Sequence, residues 1–221
     1  MKQLETIAAK RADLLEKYSD VVKATAAARE KIISDLDTYI NQVEETLKGK
    51  GTIVYHAKDA AQARQLILEL CADKQKLVRF ANPELDEIEF DSLMEEAGKE
   101  VALTDVGEII VKQLGKEGSK HPLLANLEGL SQEDIIQALQ AYVGETIENP
   151  QELNRAVQKK IRQEVLASDY GVTNVQGIVA ENGTIVIGEN EGNGRTVYNL
   201  PYRHIVVAGY DRLYDSAEET L

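Results

Sequence analysis

The sequence of 221 residues is poor in several residue types that mark particular classes of protein. Cys71 is its only cysteine, which excludes an intrachain disulfide, a cysteine-ligated zinc site and an iron–sulfur cluster held by this chain alone. No apolar run approaches the roughly 20 residues that span a bilayer, and the first residues lack the basic and apolar blocks of a signal peptide. These absences predict a cytoplasmic protein with no membrane span.

Positive charge is also scarce, because 25 lysines and arginines stand against 38 aspartates and glutamates, giving a net charge of −13. Affinity for nucleic acids or anionic membranes depends on neutralising phosphates with basic side chains, so a general binder of either kind is excluded. The hydrophobic share of 43% suffices for a proper core. We therefore expect one globular domain, or one domain with an appendage.

The N-terminal segment is predicted to be helical. Residues 3–47 contain no glycine or proline and are rich in alanine, glutamate, lysine and leucine, which favours one long helix or two helices in line. Gly49 and Gly51 are expected to end this segment. We predict a helical arm over residues 1–50, with an uneven apolar stripe suited to a neighbour or a second subunit, and an α/β domain over residues 51–221.

Short β-rich runs alternate with amphipathic helices after residue 51. Strands are predicted at residues 52–56, 77–81, 100–104, 169–175 and 177–186, and helices at 59–73, 87–97, 106–114, 131–142 and 152–167. This alternation predicts parallel βαβ units, and therefore a mostly parallel, Rossmann-like sheet flanked by helices. The most hydrophobic segment, residues 204–210, is predicted to be a central strand.

The segment from Val179 to Pro201 concentrates turn and polar residues. Asn182-Gly183 lies between two β-branched runs and predicts a hairpin with a two-residue type I′ turn. A polar, glycine-containing loop follows, before a strand predicted to begin at Thr196. The candidate ligand-binding residues of this loop are Glu191, Gly192, Asn193, Gly194 and Arg195, preceded by Glu189. Their backbone N–H groups and the guanidinium can surround an anion; alternatively, Glu191 pairs with Arg195 and holds the loop closed.

Further candidates lie at the ends of predicted strands. Asp105 and Glu108 follow the third strand, where open α/β sheets bind ligands; helix capping alone also explains both acids. His121, Asn174 and His204 are further candidate ligand-binding residues, and each histidine can be a base, a metal ligand or a packed core residue. No spacing of histidine and acid resembles a metal motif, so no metal is expected.

A set of motifs in a fixed order resembles a known family. The motifs are T-D-V-G-E at 104–108, S-K-H-P at 119–122, D-Y-G-V-T at 169–173, A-E-N-G-T-I-V at 180–186, N-E-G-N-G-R at 190–195 and L-P-Y-R-H-I at 200–205. Together they resemble the LUD domain of bacterial lactate-utilization proteins, with the B type the closer likeness. The resemblance implies the fold shared with CoA-transferases and ribose-5-phosphate isomerase.

The resemblance also implies a function. It implies a part in oxidising L-lactate to pyruvate within a multi-subunit system, with a small anionic metabolite such as lactate as ligand and iron–sulfur and other lactate-utilization subunits as partners. The B type continues into a region whose cysteines carry iron–sulfur clusters, so this chain is expected to be either a stand-alone LUD protein or a truncated one. The clusters are expected on a partner or on a missing C-terminal region.

Glu181 is the candidate catalytic residue. Related CoA-transferases use the glutamate of an S-E-N-G signature as a nucleophile, so Glu181 in A-E-N-G can act covalently or as a general base; alternatively, it accepts backbone N–H bonds at the turn. Three functions follow as hypotheses. The chain is a component of an L-lactate oxidoreductase system, or it is a non-catalytic module, or it carries out acyl or CoA-linked chemistry. The module would bind an anionic metabolite, or it would assemble subunits through its N-terminal helices, as a possible homo-oligomer.

Overall fold

The computed structural model describes residues 2–80, 83–115, 130–189 and 192–220, and in them the fold is α/β. The helices are α1 (Lys2–Lys17), α2 (Ser19–Ser34), α3 (Leu36–Gly49), α4 (Ala60–Leu70), α5 (Pro83–Glu87), α6 (Phe90–Glu96), α7 (Val106–Gln113), α8 (Gln132–Val143), α9 (Pro150–Leu166) and α10 (Asn193–Asn199). The strands are β1 (Lys76–Arg79), β2 (Glu100–Leu103), β3 (Tyr170–Thr173), β4 (Gly177–Val179), β5 (Ile185–Val186), β6 (Arg203–Val206) and β7 (Leu213–Tyr214).

The chain divides into two compact units. The first unit consists of Met1–Val54, Gln176–Val186 and Tyr210–Leu221, and the second of Tyr55–Val175 and Ile187–Gly209. The first therefore contains α1 to α3 with a three-stranded sheet, and the second contains a four-stranded parallel sheet with the remaining helices.

Three helices form the N-terminal segment, instead of the one or two that the composition predicts. The breaks fall at Tyr18 (φ −113°, ψ 31°) and Asp35 (φ −139°, ψ 45°), whose backbones leave the helical region. Helical hydrogen bonds nevertheless continue around Tyr18, whose N–H donates to the Leu14 carbonyl and whose carbonyl accepts from the Val22 N–H. Neither break contains glycine or proline, so residue composition alone does not locate it.

The first unit has a sheet of strand order β5-β4-β7. β4 and β5 form the predicted hairpin, with Ile178 opposite Ile185, and β7 is parallel to β4. The predicted type I′ turn is wrong: Gly183 has φ +68°, but Asn182 is not among the described residues with positive φ. Residues 180–183 instead make a longer loop, which the Gly183 N–H closes by donating to the Val179 carbonyl at 2.7 Å.

The predicted strand at residues 52–56 is also wrong. Residues 52–57 have no regular secondary structure, and the side chains of Ile53 and Tyr55 are exposed. A β-branched run gains strand hydrogen bonds only where a partner strand lies beside it, and β propensity therefore does not specify a strand by itself.

The second unit has a parallel sheet of strand order β2-β1-β3-β6. β1 and β3 are central, and their Leu77, Val78 and Val172 side chains are completely buried. The segment predicted to be the central strand forms β6 at an edge of the sheet, where its residues are only partly buried or exposed. Hydrophobic composition identified the strand, but strand order depends on the crossovers between strands.

Helices cover the parallel sheet and start at local capping signals. Asp59 caps α4 by accepting a hydrogen bond from the Gln62 N–H, and Ser131 with Asp134 forms a capping box at α8. The helix predicted at residues 87–97 is shorter and begins after Glu89, whose φ is +51°. Apolar side chains from α4 and α6, including Phe90 and Met94, pack with β1 and β3 as the largest core cluster.

The strand predicted to begin at Thr196 is wrong, because the helix α10 occupies residues 193–199. α10 packs against β3 at Gly171, where an added Cβ would lie 2.0 Å from the Val197 carbonyl oxygen. Only a residue without a side chain permits this distance. The sequence Thr-Val-Tyr by itself favours a strand, but the segment forms a helix that packs against β3.

We expect the substitution Gly171→Ala to displace α10 and to destabilise the protein by about 1–3 kcal/mol or more, because the methyl group meets backbone instead of a flexible side chain. The matched control is Gly49→Ala, whose Cβ would have no atom within 4 Å and whose φ is not positive. Urea unfolding of both variants measures the effect. Equal stability of the two variants would show that α10 moves away without cost.

Candidate functional site

The candidate site lies at the carboxyl edge of the parallel sheet. The strand order reverses at β1, because β2 lies on one side of it and β3 on the other. Open α/β sheets bind ligands outside the carboxyl ends of the strands at the point where the order reverses. The residues at these ends are Arg79 on β1, Thr104 after β2 and Thr173 on β3. All three are buried, which is unusual for polar residues unless they have hydrogen-bond partners.

Arg79 forms a buried cluster with two carboxylates. Its guanidinium donates to both oxygens of Asp91, at 2.6 and 2.7 Å, and to both oxygens of Glu108, at 3.1 and 3.0 Å. The Arg79 side chain is only 5% exposed and that of Glu108 15%, whereas that of Asp91 is 44% exposed. The cluster carries one positive and two negative charges when all three groups are ionised.

Burial by itself shifts the pKa values of Arg79 and Glu108 in opposite directions. It would lower the pKa of Arg79, but the hydrogen bonds and negative charges of Asp91 and Glu108 outweigh it and raise that pKa. Burial raises the pKa of Glu108, and the positive charge of Arg79 offsets this only in part. Arg79 is therefore the charge that limits the rise in the pKa of Glu108.

A chain of hydrogen bonds connects β1, β2 and α10. The Thr104 hydroxyl donates to the Arg79 carbonyl at 3.1 Å, and the Asn193 side-chain amide donates to the Thr104 carbonyl at 3.2 Å. Asp105 follows directly and caps α7 by accepting from the Glu108 N–H at 2.9 Å. The structure thus brings together the predicted residues Asp105, Glu108 and Asn193, and it shows that Asp105 is a helix cap.

Glu189 orients the start of α10. Its carboxylate accepts from the Arg195 backbone N–H at 2.6 Å and from the Arg195 Nε at 3.2 Å. A Cβ on Gly194 would lie 2.8 Å from the Glu189 Oε2, so the glycine leaves room for this carboxylate. The Arg195 side chain is 71% exposed, whereas that of Glu189 is 11% exposed. Asn190 and Glu191 lie outside the described residues, so the predicted pairing of Glu191 with Arg195 stays a prediction.

Two further predicted residues lie near the ends of β3 and β6. The Asn174 amide donates to the Glu84 carboxylate at 3.2 Å, which connects the segments after β3 and β1. The His204 Nε2 lies 2.7 Å from the hydroxyl of Thr173, and burial lowers the pKa of His204 to about 4. His204 is therefore a neutral imidazole near pH 7.

Glu181 belongs to the first unit, whereas the other described candidates belong to the second. Its backbone N–H donates to the Asp215 carbonyl at 3.2 Å, and its side chain is exposed. The acceptor that stabilises the turn is Asn182, whose Oδ1 accepts from the Thr184 N–H at 2.9 Å. A catalytic role for Glu181 stays a prediction, and His121 lies outside the described residues.

Several residues of the site were missed by sequence reasoning, namely Arg79, Asp91, Glu84, Thr104 and Thr173. A signal existed for Arg79, since a charged residue inside the apolar run L-V-R-F predicts a buried charge, which needs acidic partners. The others had no comparable local signal, because their partners are distant in sequence: 12 residues separate Arg79 from Asp91, and 29 separate it from Glu108.

The chain does not fit an iron–sulfur cluster. Cys71, its only cysteine, is fully buried at the end of α4, and burial raises the pKa of its thiol to about 11. Within the described ranges, no group of three or more histidine, cysteine, aspartate or glutamate residues is placed to hold a metal ion. In the same ranges, no helix has both the length and the apolar character that crossing a membrane requires.

A parallel sheet of four strands flanked by helices defines this chain as an open α/β protein. The chain belongs to the LUD domain family, whose model matches residues 40–221. The resemblance of its ordered motifs to that domain is thereby confirmed.

The curated relatives include lactate-utilization proteins. The chain is 34% identical over 194 residues to Lactate utilization protein B of Shouchella clausii, covering 86% of this chain and 41% of that protein. It is 30% identical over 207 residues to the Uncharacterized electron transport protein YkgF of Escherichia coli, covering 92% of this chain and 43% of that protein. The chain thus spans less than half the length of these relatives. No solved structure matches it.

We expect Arg79→Met to destabilise the protein by about 3–5 kcal/mol, because Glu108 is left buried without its cation. The control is Arg64→Met, which removes a surface ion pair with Glu89 and should cost at most about 1 kcal/mol. Urea unfolding at pH 7 measures both. Similar decreases in the free energy of unfolding for the two variants would mean that the buried cluster stabilises the protein no more than a surface ion pair does.

His204 should make stability depend on pH. Its folded pKa of about 4 lies below its ordinary value of 6.5, so the unfolded state binds the proton more readily and stability falls as pH decreases from 6.5 to 4. We expect the advantage of the native protein over His204→Gln to shrink by about 1 kcal/mol between pH 7 and pH 5. An advantage that is independent of pH in chemical unfolding would show that His204 is not held neutral by burial.

Proposed function

We propose that this chain is the LUD-domain component of an L-lactate-oxidising system and that the carboxyl edge of its parallel sheet binds the carboxylate of a small 2-hydroxy acid. The observation that carries the proposal is the similarity to Lactate utilization protein B of Shouchella clausii, at 34% identity over 86% of this chain. The electron transport protein YkgF among its relatives supports a connection to electron transfer.

The described residues of the carboxyl edge supply groups suited to such a ligand. Arg195 has a largely exposed guanidinium, which can donate two parallel hydrogen bonds to a carboxylate. Glu189 fixes its backbone and its Nε, so the guanidinium is oriented before a ligand arrives. Asn193 is oriented by the Thr104 carbonyl and lies in the same first turn of α10, where its amide can recognise a hydroxyl or carboxylate oxygen.

The redox step requires an electron acceptor such as an iron–sulfur cluster, and the residues of this chain are not suited to hold one. Conversion of L-lactate to pyruvate breaks the C–H and O–H bonds at C2 and releases two electrons and two protons. We propose that iron–sulfur clusters on a partner subunit, or on another part of a longer protein, accept the two electrons in the cytoplasm. The two protons are released to solvent. A role for Glu181, which lies in the first unit, as a general base is a separate hypothesis.

The test is reconstitution of the purified chain with an iron–sulfur subunit of a lactate-utilization system, measuring acceptor reduction by L-lactate. We expect Arg195→Glu to raise the KM for L-lactate about tenfold or more, because the variant repels the carboxylate. The control is Arg64→Glu, which makes the same charge change away from the site and should leave KM unchanged. An unchanged KM in Arg195→Glu would refute the carboxylate site.

Glu181→Gln separates the catalytic hypothesis from that of a binding module. If Glu181 accepts the proton, the variant should lose about 10² to 10⁴-fold in kcat while binding of L-lactate in calorimetry stays unchanged. Full turnover by this variant would exclude Glu181 as the base. The native chain could also bind L-lactate and show no turnover when the iron–sulfur partner is present in either redox state. This result would favour a module that binds a metabolite without catalysis.

A further inference from the structure

The first two helices present a contiguous apolar face to solvent. The face consists of Leu14, Leu15, Tyr18, Val21 and Val22, whose exposed fractions are 53%, 46%, 47%, 58% and 44%. Single exposed apolar residues are ordinary on protein surfaces, but a contiguous patch of large ones marks an interaction site. We call this set the N-terminal apolar face.

The break at Tyr18 does not divide the face. A groove of about 490 Å³ is lined by Lys10, Arg11, Leu14, Leu15, Tyr18 and Val22, so residues from both helices lie on one surface. Their spacing agrees, because Leu14 and Val21, Leu15 and Val22, and Arg11 and Tyr18 are each seven residues apart in the sequence. A repeat of seven is the spacing by which one helix packs along another.

Charge is divided between the border of this face and the opposite side. With Tyr18 at position a and Val21 at position d of the repeat, Lys10 and Lys17 fall at g, on the border. The ammonium of Lys17 lies 5.1 Å from the centre of the Tyr18 ring, which confirms that it borders the face. The acids of this segment, Asp13, Glu16 and Asp20, fall at c and f, away from the face.

A second copy of the chain does not complement this arrangement. In an antiparallel pair, position g faces g of the other helix and would bring the lysines of the two copies together. In a parallel pair, g faces e, where this chain has Leu15 and Val22 and no acid. A membrane surface is also disfavoured, because Asp13, Glu16 and Asp20 occupy the polar side and the chain carries a net charge of −13.

We propose that the N-terminal apolar face binds an amphipathic helix of another protein, one whose apolar stripe is bordered by glutamate or aspartate. The partner's apolar side chains fill the groove, and its acids pair with Lys10, Arg11 and Lys17. This binding is independent of lactate chemistry, since all of its residues lie on α1 and α2 and the boundary residue Tyr18.

The probe is a labelled synthetic peptide of three heptads with leucine at a and d and glutamate at e and g. Its matched counterpart has lysine at e and g. Fluorescence anisotropy with the full chain at moderate salt should show that the acidic peptide binds about tenfold more tightly than the basic one, and raising the salt concentration should reduce this difference.

Variants of the chain locate the binding. Leu15→Asn removes an apolar contact and Lys10→Glu reverses a border charge, so each should weaken the acidic peptide by about fivefold or more. The matched control is Lys23→Glu, which makes the same charge change at the exposed f position and should alter affinity less than about twofold. Circular dichroism of each variant checks that helix content is unchanged.

Four results would overturn the proposal. Equal affinity for the two peptides, or equal weakening by Lys10→Glu and Lys23→Glu, would show that charge at the face does not select the partner. Dimerisation of the chain in sedimentation velocity that Leu15→Asn abolishes would make a second copy the occupant. Sedimentation with vesicles of anionic phospholipid, and not with neutral ones, would make it a membrane surface.

Discussion

Burial of the Arg79 guanidinium is the constraint on which the second unit depends. An arginine at the end of a central strand loses its hydration on folding, and only charged partners with good geometry compensate for that loss. Asp91 on α6 and Glu108 on α7 supply four hydrogen bonds to it. The helices α6 and α7 are thereby fixed at the carboxyl edge of the sheet, and the positive charge of Arg79 partly offsets the rise that burial causes in the pKa of Glu108.

The position of α10 depends on a different constraint, which is steric. Gly171 lets the backbone of α10 approach β3 closely, and Val197 is fully buried where the two meet. This packing places Asn193 within hydrogen-bonding distance of the Thr104 carbonyl, while Glu189 holds the Arg195 N–H. A charge cluster and a close backbone contact therefore support the candidate site, and Arg195 adds an exposed positive charge beside them.

The two units present different kinds of surface. The carboxyl edge of the second unit carries polar groups that are hydrogen-bonded to one another. The N-terminal apolar face of the first unit is exposed and bordered by lysines, as helix-binding surfaces are. The proposed binding of a 2-hydroxy acid concerns the carboxyl edge, and the proposed binding of a partner helix concerns the N-terminal apolar face.

The sequence by itself determined the features whose partners lie within a few residues. Asp59 and Ser131 predicted helix starts because a cap bonds to the backbone three residues ahead. The hairpin at Asn182-Gly183 and each of the family motifs could be recognised from the sequence because each lies within a few consecutive residues. Only the tertiary structure decided the edge position of β6, the helical state of residues 193–199 and the partners of Arg79. These depend on contacts between residues far apart in the chain, where packing and the burial of charge outweigh local propensity.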